Sequence, residues 1–230
     1  MKPLNLSIFI AGTLLISCHT VTFTKKELDF IGSTSSMLQG ATVSLTKTAG
    51  ASTSEGSYKK FEIEIENLPL DSAKTSGMLL FAGSMPAYIF MKDSVEDKMD
   101  FTYVEVVVKT KENEYRTRYT PAQLKLVDSG LKDVSGYDRG IQEVNVDSLT
   151  LYSDPVLLAK LPTDTLIEKL RYADSTWGKV EKITSNGFKF ENKAGRQYIY
   201  FSTSLKRQSV SQNVELWVDP RTNKVAFIDL

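Results

Sequence analysis

YKKFEIEIEN, residues 58–67, alternates apolar and charged side chains from Phe61 onward. Successive side chains of a β-strand point to opposite faces. The alternation therefore puts Phe61, Ile63 and Ile65 on one face and three glutamates on the other. The stretch predicts a half-buried strand, and its glutamates predict a solvated outer face rather than an acid–base pair.

The segments on either side extend this strand into a sheet covered by one helix. Residues 40–48 predict a strand before it, while the β-branched run at residues 101–109 and the alternating residues 115–119 predict two more after it. Residues 78–91 are rich in leucine, methionine and alanine, which favours a buried helix that Pro86 would break or kink. The order of these elements predicts an α+β unit in which one helix packs on an antiparallel sheet.

A short helix is predicted after the fourth strand. Thr120 and Gln123 fit a Thr-x-x-Gln capping box, and Pro121 suits the first helical position. With this helix included, the order of elements resembles that of small cystatin-like domains found in some bacterial lipoproteins. The resemblance lies in the pattern alone and implies an α+β fold for this half.

The boundary between two domains is predicted in a stretch rich in glycine and charge. Residues 128–143 contain three glycines among polar and charged residues, which is typical of a linker. We therefore expect an α+β domain over residues 37–127 and a β-rich domain over residues 144–230.

Three segments of the second half resemble bacterial SH3-like domains. They are LYSDP at residues 151–155, LPTDTLIEKL at residues 161–170 and WGKV at residues 177–180. Residues 195–200, GRQYIY, stand where that family has a Gly-x-x-Gly-Trp/Tyr-Val strand, although the second glycine is absent. The resemblance implies a mainly β, SH3-like barrel whose aromatic groove can bind peptide or cell-wall peptide. Residues 163–171 also fit a helix.

Two hairpins are predicted in the second half without reference to a family. Asn186-Gly187 lies between the alternating residues 179–185 and 188–191, and this dipeptide between strands is a strong signal for a tight turn. Residues 214–218 and 225–228 flank a polar turn and predict a hairpin at the end of the chain.

The first 18 residues predict export and lipid anchoring. Residues 1–17 have a lysine near the start and then an uncharged, mostly apolar run, shorter than the roughly 20 residues that span a bilayer. The run ends in Leu15-Ile16-Ser17-Cys18, which resembles the lipobox of bacterial lipoproteins and contains the only cysteine. The resemblance implies cleavage of a signal peptide before Cys18 and attachment of fatty acyl chains, such as palmitate, to that residue. The alternative is a buried N-terminal helix of a soluble protein.

Residues 18–36 are rich in serine and threonine and predict a lipidated tether with a short ordered stretch around residues 28–31. His19 occupies the position at which an aspartate commonly signals retention in the inner membrane of Gram-negative cells. We therefore expect a cell-envelope location, with the outer membrane favoured over the inner one.

The composition excludes several classes of function. Basic and acidic residues number 28 each, so no overall charge attracts nucleic acid. The single histidine, His19, adjoins Cys18 on the tether, which excludes Cys/His zinc sites and a histidine-based triad in the folded part. No phosphate-binding glycine motif is present. The sequence thus nominates no catalytic residue, no metal ligand and no cofactor.

Aromatic side chains of the second half are the candidates for ligand binding, because they are expected to cluster on or near its sheet. They are Tyr152, Trp177, Tyr198, Tyr200 and Trp217. The alternative is that Trp177 and Tyr198 are core residues, as the alternation around them indicates.

Three functions remain open at this point. The first is a non-enzymatic, membrane-anchored lipoprotein that binds a protein or cell-wall partner through its β-rich domain. The second is a carrier or sensor of an apolar ligand, with residues 78–91 as a cavity wall. The third is a hydrolase that uses carboxylate or serine chemistry.

Overall fold

The computed structural model describes residues 24–52, 56–68, 76–94, 101–193 and 195–230. The predicted signal peptide and Cys18 lie outside these residues. The helices are α1 (Lys25–Met37), α2 (Ser76–Ile89) with a π-helical turn after it (Phe90–Ser94), α3 (Pro121–Glu143), α4 (Val146–Tyr152), α5 (Pro155–Lys160) and α6 (Thr163–Trp177). The strands are β1 (Thr42–Ser52), β2 (Gly56–Glu66), β3 (Tyr103–Lys109), β4 (Glu114–Tyr119), β5 (Val180–Lys193), β6 (Arg196–Arg207), β7 (Ser211–Asp219) and β8 (Lys224–Asp229).

The first sheet has the order β1-β2-β3-β4 and is mixed rather than antiparallel as predicted. β1 and β2 form a hairpin, and β3 pairs antiparallel with β4, but β2 and β3 run parallel. The reason is that α2 lies between β2 and β3 in the chain. A helical connection returns the chain to the starting end of the sheet, so the next strand runs in the same direction.

The alternation in β2 is confirmed. Ile63 and Ile65 are fully buried, whereas the glutamates between them face the opposite side of the sheet. The predicted buried helix is also confirmed, since α2 contacts β3 and Ala87 is fully buried. Pro86 lies inside α2, and the π-helical turn follows it directly.

Helix α1 occupies part of the segment that we predicted as a tether, residues 18–36. Its first turn is closed by a capping box between Thr24 and Glu27. Phe30 is buried, and its ring packs edge-on against Phe90 with a centroid distance of 5.2 Å. The ordered stretch around residues 28–31 is therefore part of a longer helix, held by an apolar contact to the π-helical turn that follows α2.

Helix α3 contains the whole of the predicted linker at residues 128–143. The capping box of Thr120 and Gln123 and Pro121 at the first position are confirmed, but the helix runs for 23 residues. Its glycines serve close packing rather than flexibility. A Cβ atom added to Gly130 would lie 3.3 Å from the Phe201 ring, and one added to Gly136 would lie 2.2 Å from the Tyr152 ring. A Cβ atom added to Gly140 would lie 3.0 Å from Leu149.

The second sheet is an antiparallel meander with the order β5-β6-β7-β8, and it is not closed into a barrel. This corrects the SH3-like barrel predicted for residues 144–230. The helices α4, α5 and α6 occupy the first part of that segment. Leu166, Ile167 and Leu170 are buried at helical spacing, so the residues that the barrel needs as a strand form α6 instead.

The hairpin predicted at Asn186-Gly187 is also corrected, because both residues lie inside the continuous strand β5. They form a bulge there, where the pairing with β6 shifts register between Ser185 and Gly187. The Asn186 amide donates to the hydroxyls of Ser202 and Ser204 on β6, at 3.2 and 2.9 Å. The C-terminal hairpin is confirmed as β7 and β8.

The two halves of the chain share one continuous cluster of buried apolar residues. Helix α2 packs against β3 of the first sheet and β5 of the second. The rings of Tyr119 on β4 and Phe188 on β5 meet edge-on, with centroids 5.4 Å apart. Among the described residues, no helix combines the length and apolar character needed to span a bilayer.

Candidate functional site

Three of the five predicted aromatic residues lie together on one face of the second sheet. Ile199 and Phe201 of β6 face α3, because a Cβ atom on Gly130 of that helix would lie within 4 Å of both side chains. Side chains alternate along a strand, so Tyr198 and Tyr200 point away from α3. Trp217 is the β7 partner of Tyr200 and lies on the same face.

The rings on this face pack edge-to-face. Tyr200 and Trp217 have centroids 4.9 Å apart with planes at 77°. Tyr198 packs in the same way against Phe227 of β8, with centroids 5.4 Å apart. Such arrangements are the preferred geometry of aromatic pairs.

Two lysines of β5 lie over these rings. The Lys189 ammonium is 4.5 Å from the centroid of Tyr200. The Lys193 ammonium is 4.0 Å from the centroid of Trp217 and 4.6 Å from that of Phe227. These distances lie within the range of cation–π attraction. We call this surface the aromatic–lysine face; it comprises Lys189, Lys193, Tyr198, Tyr200, Trp217 and Phe227.

Glu191 fixes the indole of Trp217. The indole Nε1–H donates to Glu191 Oε2 at 2.8 Å, and Lys189 pairs with the other carboxylate oxygen at 2.5 Å. Burial opposes ionisation of Glu191, but the hydrogen bonds from Lys189 and Trp217 outweigh it and lower the pKa of the carboxyl. Lys193 makes no direct ion pair with a described residue, although its charge also helps to lower the pKa of Glu191.

The tyrosines of the aromatic–lysine face behave as core residues. Tyr198 and Tyr200 are only 4% and 5% exposed. Burial raises the pKa of the Tyr200 hydroxyl above its usual range, so this phenol stays neutral. The alternative reading of Tyr198 as a packing residue is thus supported. Contact with a partner would come from the half-buried Trp217 and the lysines.

The other two predicted aromatics lie elsewhere. Tyr152 ends α4 and packs against Gly136 of α3, so it belongs to the helical layer. Trp177 ends α6 and is 39% exposed, which makes it neither a core residue nor a member of the aromatic–lysine face. It lines a cleft of about 430 Å³ formed by α6, β6, β7 and Leu230.

Sequence reasoning missed Lys189, Lys193 and Phe227. The signal was present, because Lys189, Glu191 and Lys193 alternate with other residues at the period of a strand. The prediction of a turn at Asn186-Gly187 divides β5 into two short strands, and the periodicity of the whole strand is therefore not recognised. A single strand from residue 180 to 193 would have placed both lysines opposite β6.

The polar face of the first sheet contrasts with this one, because its charges are paired. Glu105 of β3 accepts from Arg118 Nε at 2.7 Å and from Lys60 Nζ at 3.1 Å. Burial opposes its ionisation, but these bonds outweigh it and lower its pKa to about 2. We call the surface that carries these paired side chains the ion-pair face; it comprises Lys60, Glu62, Glu64, Glu105, Lys109, Glu114, Arg116 and Arg118.

Asp138 on α3 differs from Glu105, because it is a buried carboxyl that makes no ion pair with a described residue. Burial alone raises its pKa to about 7, and its Oδ1 accepts no hydrogen bond from any described residue. Among the described residues, no three His, Cys, Asp or Glu side chains form a group that could hold a metal ion. No protein-family model, no curated protein and no solved structure matches this chain.

Proposed function

We propose that this protein is a lipid-anchored lipoprotein of the cell envelope that binds an anionic cell-wall partner through its aromatic–lysine face. The observation that carries the proposal is the position of the two ammonium groups over the rings of Tyr200 and Trp217. Both ammonium groups lie on an open sheet; Lys189 pairs with Glu191, whereas Lys193 makes no direct ion pair with a described residue.

The chemistry of the face favours a partner that carries both carboxylates and apolar or sugar surfaces. Ammonium groups held over rings can pair with carboxylates while the half-buried indole offers a flat apolar contact. Peptidoglycan combines acidic stem peptides with sugar rings, and therefore fits both requirements. A third lysine, Lys160 of α5, lies 5.1 Å from the Phe227 centroid and adds to the positive charge.

The anchoring part of the proposal depends on the lipobox-like sequence that ends at Cys18. Helix α1 begins at Lys25, seven residues after that cysteine, so the folded part would start close to the lipid. Acyl chains contribute about 0.8 kcal/mol for each buried methylene, and two or three chains make the attachment stable.

The anchoring is tested by the Cys18→Ser substitution in the native host. We expect the wild-type protein to require detergent for extraction from the membrane fraction, and the variant to appear in the soluble fraction. Detergent-dependent extraction of both proteins to the same extent would contradict lipid anchoring. Mass spectrometry of the wild type should show loss of residues 1–17 and a modified Cys18.

The binding is tested by sedimenting the protein with purified peptidoglycan. We expect the protein to enter the pellet at low ionic strength and to be released as salt is added, because exposed lysine–carboxylate pairs are screened by salt. Protein that stays in the supernatant under all conditions would contradict this partner.

The alternatives have less support. Met85 and Met91 pack against the core, as expected for structural residues rather than a cavity wall at residues 78–91. For a hydrolase, the two carboxyls with the largest pKa shifts, Glu105 and Asp138, lie on different elements, and neither lines the cleft beside Trp177.

A further inference from the structure

A second candidate site is the cleft beside Trp177, on the other side of the second sheet. Leu205 and Arg207 of β6 line it, and both share the α3-facing side of the strand with Phe201. The opposite side of β6 carries Tyr198 and Tyr200. The cleft is therefore separate from the aromatic–lysine face and does not depend on the function proposed for that face.

The opening of this cleft is surrounded by exposed apolar side chains. Tyr172 is 68% exposed, and Trp177 and Leu230 are each more than one-third exposed. Large apolar residues gathered on a surface mark interaction sites, whereas single ones are common. The cleft volume of about 430 Å³ lies within the range of small-molecule sites, roughly 300–1,000 Å³.

Arg207 supplies the polar part of the cleft. Its side chain is 1% exposed and pairs through Nη1 with Asp174 and, at 2.8 Å, with the carbonyl oxygen of Gly178. The Nε–H group is buried and has no hydrogen-bond acceptor among the described residues. A buried donor without an acceptor costs about 1–3 kcal/mol, so a ligand oxygen placed there would be favoured.

The remaining charges define what kind of oxygen fits. Asp174 neutralises Arg207, and the exposed Glu168 and Lys169 on the lining carry opposite charges. The lining is thus close to neutral, and its unmet requirement is an acceptor rather than a countercharge. A carbonyl or carboxylate oxygen at the end of an apolar chain meets both the acceptor requirement and the apolar lining.

We propose that this cleft binds an acyl compound. The acyl oxygen accepts a hydrogen bond from Arg207 Nε, and the apolar chain lies against Leu170, Leu205 and Trp177. A free fatty acid and the acyl ester of a lipid share this chemistry, and the two sources are distinguished by the test.

The test uses tryptophan fluorescence, because the chain has two tryptophans and the other, Trp217, lies on the aromatic–lysine face. In the full chain carrying Trp217→Phe, Trp177 is the only emitter. We expect sub-micellar dodecanoate or glycerol monododecanoate to shift its emission to the blue in a saturable manner. Saturation by dodecanoate alone identifies a fatty-acid site, and saturation by the ester alone identifies a lipid acyl site.

The matched control ligand is dodecyltrimethylammonium, which has the same chain and no acceptor oxygen. We expect it to bind at least about tenfold more weakly, which corresponds to about 1.4 kcal/mol. Equal binding of this cation would overturn the role assigned to Arg207, and the absence of a saturable shift with either acyl compound would overturn the site.

A second variant, Ala173→Phe in the Trp217→Phe chain, tests whether the acyl compound occupies this cleft. Ala173 lines the cleft and is partly exposed, so a larger side chain fills the cleft without entering the core. We expect this variant to fold, as judged by circular dichroism, and to lose the saturable shift. A folded variant with an unchanged response would place the acyl compound elsewhere and overturn the proposal.

Discussion

The two sheets accommodate the charged side chains of their polar faces in different ways. Each sheet has four strands and carries charged side chains on one of its faces. On the ion-pair face, Glu105 is held by Lys60 and Arg118. On the aromatic–lysine face, the ammonium of Lys193 lies over rings instead of beside a carboxylate. The first face satisfies its charges by direct ion pairs, whereas the second leaves the Lys193 ammonium without a direct ion pair among the described residues.

The largest effect is expected where α2 joins the two sheets, because a strand of each sheet packs against this helix. At Gly187, with φ at +148°, a Cβ atom would lie 2.6 Å from the Phe81 carbonyl oxygen and 2.5 Å from Ser84 Oγ. Ser84 Oγ also accepts from the Phe188 N–H at 2.9 Å. We expect Gly187→Ala to lower the free energy of unfolding by about 3 kcal/mol, measured by urea denaturation.

Gly195→Ala is the matched control for this substitution. Gly195 also has a positive φ, +73°, but nothing lies within 4 Å of an added Cβ atom. We expect Gly195→Ala to lower the free energy of unfolding by about 1 kcal/mol, the cost of the backbone conformation alone. Equal losses at the two glycines would show that contact with α2 does not explain the bulge.

The second-largest effect is expected when a carboxylate is removed from the ion-pair face. Glu105→Gln removes the carboxylate charge that Arg118 and Lys60 share, and we expect a loss of about 2–3 kcal/mol in the free energy of unfolding at neutral pH. Because the folded pKa of Glu105 is lowered, its contribution is present above the unfolded pKa and is lost as the pH falls toward 2. The wild type and the variant should therefore converge in acid.

Glu114→Gln is the control on the same face, since Glu114 pairs with Arg116 at an exposed position. Exposed pairs contribute up to about 1 kcal/mol, so little change is expected. A loss at Glu114 as large as that at Glu105 would show that burial of Glu105 is not what makes its pairs stabilising.

The third effect concerns Asp138, whose Oδ1 accepts no hydrogen bond from the described residues, and the pH dependence of stability has the opposite sign. The folded pKa of Asp138 is raised to about 7, so folding favours its protonated form. Its contribution to stability is present below the unfolded pKa, about 3.9, and is lost as the pH rises through about 7. We expect wild-type stability to fall by about 2 kcal/mol more than that of Asp138→Asn between about pH 5 and about pH 8. Parallel pH profiles in urea denaturation would contradict a raised pKa.

Elements with strong local periodicity could be predicted from the sequence. The alternation of β2, the β-branched β3 and the capping box of Thr120 all depend on residues close in the chain, and the structure confirms each of them. The apolar density around Pro86 likewise predicted α2. In these cases local preference and tertiary packing favour the same structure.

Other elements depend on contacts that local sequence does not contain. Gly136 is typical of a linker until the Tyr152 ring is known to lie against it. Asn186-Gly187 is typical of a turn until α2 is seen to pack on the strand at that point. Proximity to distant residues decides both cases.

The candidate site was partly predictable for the same reason. The aromatic residues of β6 and β7 were nominated from their spacing, and the structure brings Tyr198, Tyr200 and Trp217 together. The lysines of β5 were missed because their strand was interrupted at the predicted turn. The burial of Arg207 follows from its pairing with Asp174 on α6, which no local pattern indicates.

The most direct test of the account removes two positive charges from each face in turn and measures binding to purified peptidoglycan by sedimentation. The paired variants are Lys189→Ala with Lys193→Ala on the aromatic–lysine face, and Lys109→Ala with Arg116→Ala on the first sheet. Both double variants lower the net charge by two, so they differ only in the face that is changed. We predict that the first pair weakens binding about tenfold, or about 1.4 kcal/mol, and that the second pair leaves it unchanged. Equal weakening by both pairs, or weakening by the second pair alone, would contradict the assignment of binding to the aromatic–lysine face.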